Sequence, residues 1–186
     1  MLFHEIYGAY YRTMGRILSA AVSHPVTQEE IRRINSELEK SAITDYLTGL
    51  YNRNGFYGRL YAMLESGRRE GSAQDFSFLY IDLDNFKYYN DTFGHDVGDM
   101  IIEEVAQILR EAAGRDGFAT RFGGDEFLLL LPHIEEATFQ QKLQDICCQI
   151  SETRLPGLED IRLSVSIGGV SGVHPLAEAI RQADYL

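Results

Sequence analysis

Apolar residues recur at steps of three and four near the start of the chain: Phe3, Ile6, Tyr7, Tyr10, Tyr11, Met14, Ile17, Leu18 and Ala21. That period marks one face of an α-helix, so an amphipathic helix is expected over residues 2–22. "SHPVTQEE" interrupts it. Thr27 stands three residues before Glu30, the spacing of a capping box. A second helix is expected from about Gln28 to Thr44, with Ile31, Ile34, Leu38 and Ala42 on one face. Neither helix carries chemistry. Residues 1–44 are expected to form a helical segment, a stalk or an input or dimerisation element. From residue 45 the pattern alternates. Residues 53–69, 97–113 and 135–152 have helical character, and Gly114 stops the second of these. "FSFLYIDLD" (76–84) is a compact apolar run ending in carboxylates, which fits a buried central strand. "GFATRF" and "EFLLLLP" flank a Gly-Gly pair, the signal of a β-hairpin. "IRLSVSIGGVSG" is a further strand. The order β-α-β-β-α-β behind an extra leading helix is that of a split βαβ. The expected fold is therefore α+β, a ferredoxin-like, palm-type antiparallel sheet covered by helices, over residues 45–186.

That topology gives meaning to "RFGGDEFLLLL", Arg121 to Leu131. A hairpin turn lies at the end of its sheet, and the strand ending at Asp84 should run antiparallel beside it. Asp82, Asp84 and Asp125 are then expected to converge. Clustered carboxylates repel one another unless cations sit between them, and hard divalent cations take oxygen ligands. The glycines let the backbone turn sharply and a bulky ligand approach. On spacing alone two readings stand: a metal–triphosphate site, or a surface hairpin with solvated acids.

Charge narrows the choice of partner. The 186 residues carry 28 acidic and 17 basic side chains, a net charge of −11. Nonspecific nucleic-acid binding rests on Lys and Arg against phosphate, so it is not expected. A small polyanion remains possible where metal ions mediate. No apolar run approaches the roughly 20 residues needed to span a bilayer, and no membrane contact is expected from this chain. The N-terminus lacks the pattern of a signal peptide. The adjacent Cys147 and Cys148 suit a reducing cytoplasm, the expected location.

"RFGGDEF" resembles the signature of the GGDEF family, the diguanylate cyclases. "DYLTGLYNRNGF" (45–56), "DLDNFKYYNDTFGHDVGD" (82–99) and "SVSIGGV" (164–170) resemble that family's other motifs, in the same order. The resemblance implies that two GTP molecules are joined into cyclic di-GMP by a homodimer, with two Mg²⁺ (or Mn²⁺) per active site. By position, Asp82 and Asp125 would be metal ligands, assisted by the carbonyl of Leu83. Asp82, Asp125 and Glu126 would be the catalytic residues, with Glu126 supporting the metal site or the attacking hydroxyl. Asn90 and Asp99 would read guanine, and Lys87 would touch phosphate. Gly123 and Gly124 would let the backbone approach the nucleotide. Arg121 and His95 are expected to support loops, and Thr48, Asn52 and Arg53 to tie the opening loop to the sheet. Asp84 is expected to cap the loop after its strand, Asp91 and Asp96 to form turns, Tyr88 and Tyr89 to be partly buried, and His133 to be exposed.

Two departures from the family pattern matter. Many members carry Arg-x-x-Asp upstream of the signature as a product-inhibition site; here those positions are Gly114 and Gly117. Arg115 and Asp116 are adjacent and out of register, so no inhibitory site is expected. The family's last helix resembles "ADxALYxAK" and leads into a basic tail, whereas this sequence stops at "RQADYL". A protein ending there is expected to hold triphosphate less well. The alternative function is a catalytically impaired GTP-binding or interaction module of the same fold.

Overall fold

The computed structural model describes residues 27–70, 75–158 and 161–173. The helix expected over 2–22 and the final stub at "RQADYL" lie outside the described residues. The chain divides into two compact units, Met1–Lys40 and Ser41–Leu186. Helix α1 spans Gln28–Ile43. Its start is the expected capping box: the Thr27 hydroxyl accepts the Glu30 N–H at 3.1 Å, and the Glu30 carboxylate accepts the Thr27 N–H at 2.8 Å. Ile31, Ile34 and Leu38 are 47%, 44% and 62% exposed, and α1 buries no residue.

The second unit is built on four antiparallel strands: β1 Phe76–Leu83, β2 Phe118–Arg121, β3 Glu126–Pro132 and β4 Val165–Val173. Their order is β2-β3-β1-β4. This is the split βαβ arrangement expected from the sequence. Helix α2 (Arg53–Glu70) precedes the sheet, α3 (Phe86–Phe93) and α4 (His95–Ala113) join β1 to β2, and α5 (Glu136–Glu152) joins β3 to β4.

Alternation along the strands sorts their side chains onto two faces. Leu79, Ile81 and Leu83 of β1 join Phe127, Leu129 and Leu131 of β3 in one cluster. Ile101, Ile102, Val105 and Leu109 of α4, with Phe139, Ile146 and Ile150 of α5, complete it. Phe76 and Phe78 join Leu128, Leu130 and Phe118 on the other face, against Phe56 and Leu60 of α2. Because both faces are covered, β1 and β3 are near-continuous apolar runs rather than alternating ones. Toward the hairpin turn the second face changes character: Tyr80, Asp82 and Glu126 are only half-buried.

The sequence pattern differs from the structure at three places. "FKYYNDTF" forms α3, although its Asn and Asp suggest turns. Asn85 at φ 58° and Gly94 at φ 88° bend the chain before and after it, and Phe86 and Tyr89 pack against the core. Asp91 therefore lies inside a helix and Asp96 in the first turn of α4, not in turns. The last strand begins at Val165, so Ile161 to Ser164 precede it as irregular chain. Among the described residues no helix is long and apolar enough to cross a membrane.

Candidate active site

The hairpin turn is closed from within. The Glu126 carbonyl accepts the N–H groups of Phe122 at 2.8 Å and Gly123 at 3.2 Å. Arg121 holds it from outside: Nε and Nη2 donate to the Gly124 carbonyl at 3.1 and 2.8 Å. Its Nη1 meets the Asp45 carboxylate at 3.2 Å. Asp45 also accepts the Thr48 N–H at 2.9 Å and hydroxyl at 2.8 Å. Burial pushes the Asp45 carboxyl up, but the Thr48 hydrogen bonds and the Arg121 charge outweigh it and hold the pKa below the ordinary value. Arg121 thus supports the loops, as expected. So do Asn52, whose amide donates to the carbonyls of Ala42 and Thr44 at 3.1 and 3.3 Å, and Arg53, stacked 5.0 Å over the Phe122 ring.

The β1–β3 register then assembles the acids. Asp82 stands directly across from Glu126, and the Leu83 N–H donates to the Asp125 carbonyl at 3.2 Å. Burial, together with the charges of Asp125, Glu126 and Asp84, pushes the Asp82 carboxyl up. Among the described residues no Lys, Arg or His pairs with Asp82, Asp125 or Glu126. Tyr80, two residues before Asp82 on the same face of β1, lies diagonally across from Glu126. Burial and the neighbouring carboxylates of Glu126, Asp82 and Asp125 raise the phenol well above its ordinary range. Nothing in the linear pattern marks Tyr80; its place beside Glu126 follows only once the register is known.

Asp84 departs from its expected role as a loop cap. Its carboxylate accepts the Ser166 hydroxyl at 2.7 Å and its N–H donates to the Ser164 carbonyl at 3.0 Å, so it fastens β1 to the β4 side. The two hairpin glycines do different things. A Cβ on Gly123 would overlap the Glu126 carboxylate, so that glycine makes room for Glu126 itself, whereas Gly124 faces open space. Across the site, α3 and α4 meet at Gly94, whose N–H donates to the Asn90 carbonyl at 3.0 Å. The Asn90 amide lies against Gly98, where a Cβ would collide with it, and Asp99 is the next residue and exposed. Lys87 is exposed on α3, and His95 is exposed at the start of α4. Tyr88 is 60% exposed, a correction to its expected partial burial, because only Tyr89 turns inward, its hydroxyl donating to the Arg162 carbonyl at 2.9 Å. His133 is exposed as expected.

The donor chemistry suits a hard divalent cation: two carboxylates and a backbone carbonyl, with excess negative charge that a cation would relieve. Among the described residues no three His, Cys, Asp or Glu side chains form a complete cage, so further oxygens must come from water or a ligand.

An antiparallel palm-like sheet with paired acids at a hairpin turn defines the class of domain. The profile described as "Diguanylate cyclase, GGDEF domain" matches residues 42–185, and the chain belongs to the GGDEF family. Diguanylate cyclase DgcM of Escherichia coli K12 is 30% identical over 182 residues, covering 97% of this chain and 43% of that protein. Diguanylate cyclase VdcA of Vibrio cholerae is 34% identical over 155 residues, 81% of this chain and 43% of that protein. The chain thus spans less than half the length of these relatives. Among solved structures, the coiled coil and GGDEF domain of DgcB from Caulobacter crescentus, in complex with c-di-GMP, aligns with a TM-score of 0.74. It is 25% identical and covers 93% of this chain and 91% of that one. Diguanylate cyclase SiaD from Pseudomonas aeruginosa, in complex with its activator SiaC, aligns with a TM-score of 0.66. It is 29% identical and covers 97% of this chain and 70% of that one. Diguanylate cyclases of this family are metal-dependent.

Proposed function

We propose that the chain condenses two GTP molecules into cyclic di-GMP and releases two pyrophosphates. The observation that carries this reading is the β1–β3 register, which sets Asp82 against the Asp125–Glu126 pair at one end of the sheet. In each half-reaction a 3′-hydroxyl oxygen attacks the α-phosphorus of the other GTP. The new P–O3′ bond forms as the bond to pyrophosphate breaks, and the hydroxyl proton leaves to a carboxylate or water. Two Mg²⁺ (or Mn²⁺) ions, when bound, would activate the hydroxyl and neutralise charge on the leaving oxygens. Asp82, Asp125 and the Leu83 carbonyl would hold them. Glu126 acts on the attacking hydroxyl. Asn90, whose amide lies against Gly98, and Asp99, the residue after Gly98, would offer an amide and a carboxylate to the guanine edge, the carboxylate accepting from N1–H and the 2-amino group. Lys87 reaches phosphate, and the open backbone at Gly124 admits it closely.

One domain holds one GTP, so the product requires two domains facing each other, and the working unit is a homodimer. A reducing compartment suits Cys147 and Cys148, which are both free. Incubation with GTP and Mg²⁺, followed by chromatography, tests the reading. Cyclic di-GMP and pyrophosphate should appear in a one-to-two ratio. GTP that binds but persists unchanged would reduce the chain to a nucleotide-binding module.

A further inference from the structure

We propose that Gly98 is a positioning residue for base recognition: its missing Cβ makes the seat that aims the Asn90 carboxamide at guanine. The inference rests on the reading above, in which Asn90 and Asp99 meet the base. Gly98 lies buried in the first turn of α4, and its N–H donates to the Gly94 carbonyl at 3.3 Å. Its φ is not positive, so alanine would suit the backbone, and alanine is the better helix former. Conformational freedom therefore does not explain this glycine; the space it leaves does. A Cβ there would overlap Asn90 Oδ1, and would lie 2.9 Å from Asn90 Cγ and 3.3 Å from Phe86 Cζ. Phe86 is packed against the core, so the wall that must move for a Cβ is Asn90.

Two backbone hydrogen bonds hold the seat beside the side chain. The Asn90 carbonyl accepts the Gly94 N–H at 3.0 Å, and the Gly94 carbonyl in turn accepts the Gly98 N–H. The carboxamide itself has no hydrogen-bond partner among the described residues. Its hydrogen-bonding capacity is kept for a ligand, and shape rather than a protein hydrogen bond sets its direction. Asp99 follows Gly98 directly, so the seat also fixes where the amide stands relative to that carboxylate. A side chain already aimed at its ligand gives up less rotamer freedom on binding. A methyl group at this position would meet the far end of a half-buried side chain, so Asn90 would turn away while the two helices stayed in place.

Gly98→Ala tests this, with 3′-deoxy-GTP and Mg²⁺ as the probe, because a nucleotide without the attacking hydroxyl binds but cannot be condensed. In the nucleotide-free crystal structure of the variant, α3 and α4 should keep their places and the Asn90 carboxamide should have turned away from α4. Calorimetry should show binding of 3′-deoxy-GTP weakened about tenfold, the usual effect of losing one hydrogen bond, with 3′-deoxy-ATP binding unchanged. In an Asn90→Ala background the same substitution should cost no further affinity, because Gly98 acts through that amide. Asn90 found unmoved in the variant would overturn the proposal. An equal loss in both backgrounds would overturn it too, and would assign Gly98 to the packing of Phe86. Equal affinity of the parent chain for the two probes would also overturn it. The expected changes in a chain that makes no cyclic di-GMP from GTP would uphold the seat and overturn the cyclase reading instead.

Discussion

Asp82, Asp84 and Asp125 could be brought to one end of the sheet from the sequence because two signals agreed, an apolar run ending in acids and a Gly-Gly hairpin that a split βαβ sheet sets beside it, whereas Glu126 came from the family resemblance. What the linear pattern did not reveal was how each acid is held. The placement of Tyr80 diagonal to Glu126, the Asp84–Ser166 bond and the room that Gly123 leaves all depend on register or backbone path. Guanine recognition yields the first prediction at this scale. A base edge left without its partner costs roughly 1–3 kcal/mol. Asp99→Ala should therefore weaken GTP binding by about 10- to 100-fold in calorimetry; unchanged affinity would move the base pocket elsewhere. Asp45 yields a pH prediction. Its folded-state pKa lies below the unfolded value, so its stabilisation is fully present above the ordinary aspartate pKa of about 3.9 and is lost as pH falls through the lower folded value. Asp45→Asn should flatten that part of the acid limb in urea unfolding measured across pH. Parallel curves for the two proteins would mean that the Thr48 hydrogen bonds and the Arg121 tie contribute nothing there. Thr120 is the opposite case: fully buried, with a hydroxyl that has no hydrogen-bond partner. Thr120→Val should leave stability unchanged or raise it, as read by thermal unfolding.

The elements with strong periodicity or explicit boundary residues are those the sequence foretells. The Thr27–Glu30 box starts α1, Gly114 at φ 69° ends α4, and Gly-Gly joins β2 to β3. Helix α3 is too short and too rich in turn-forming residues to show itself; its helical state comes from the packing of Phe86 and Tyr89. On the inner face of α2, Phe56 is fully buried, with its ring centroid 5.3 to 6.4 Å from those of Tyr57, Phe78, Phe118 and Phe122. Phe56→Ala should cost about 3–5 kcal/mol in chemical unfolding, the usual effect of emptying such a site. Helix α1 poses a different question, because Ile31, Ile34 and Leu38 leave an apolar stripe exposed. If that stripe serves to pair two chains, deleting residues 1–40 should lower activity at low protein concentration more than at high. Equal loss at every concentration would remove the pairing role.

At the scale of the whole molecule, the proposed site offers one set of guanine, phosphate and metal contacts, whereas the proposed product is built from two GTP. Feedback by that product should be absent. Gly114 and Gly117 stand where charged partners would be needed, and a Cβ at Gly117 would lie 2.5 Å from the Leu130 carbonyl oxygen, so the backbone there admits no side chain without moving. Titration with cyclic di-GMP should show no inhibition; tight saturable binding lost in Arg115→Ala would show that the displaced Arg115–Asp116 pair works after all. Everything else depends on whether the acids at the hairpin end of the sheet carry out the chemistry. The most direct measurement compares the chain with its Asp125→Asn variant, both folded, for cyclic di-GMP made from GTP and Mg²⁺. Asp125→Asn keeps the shape of the site and removes one charge, so turnover should fall by orders of magnitude while the unfolding transition stays in place. A variant that forms product at the rate of the parent chain would contradict the account.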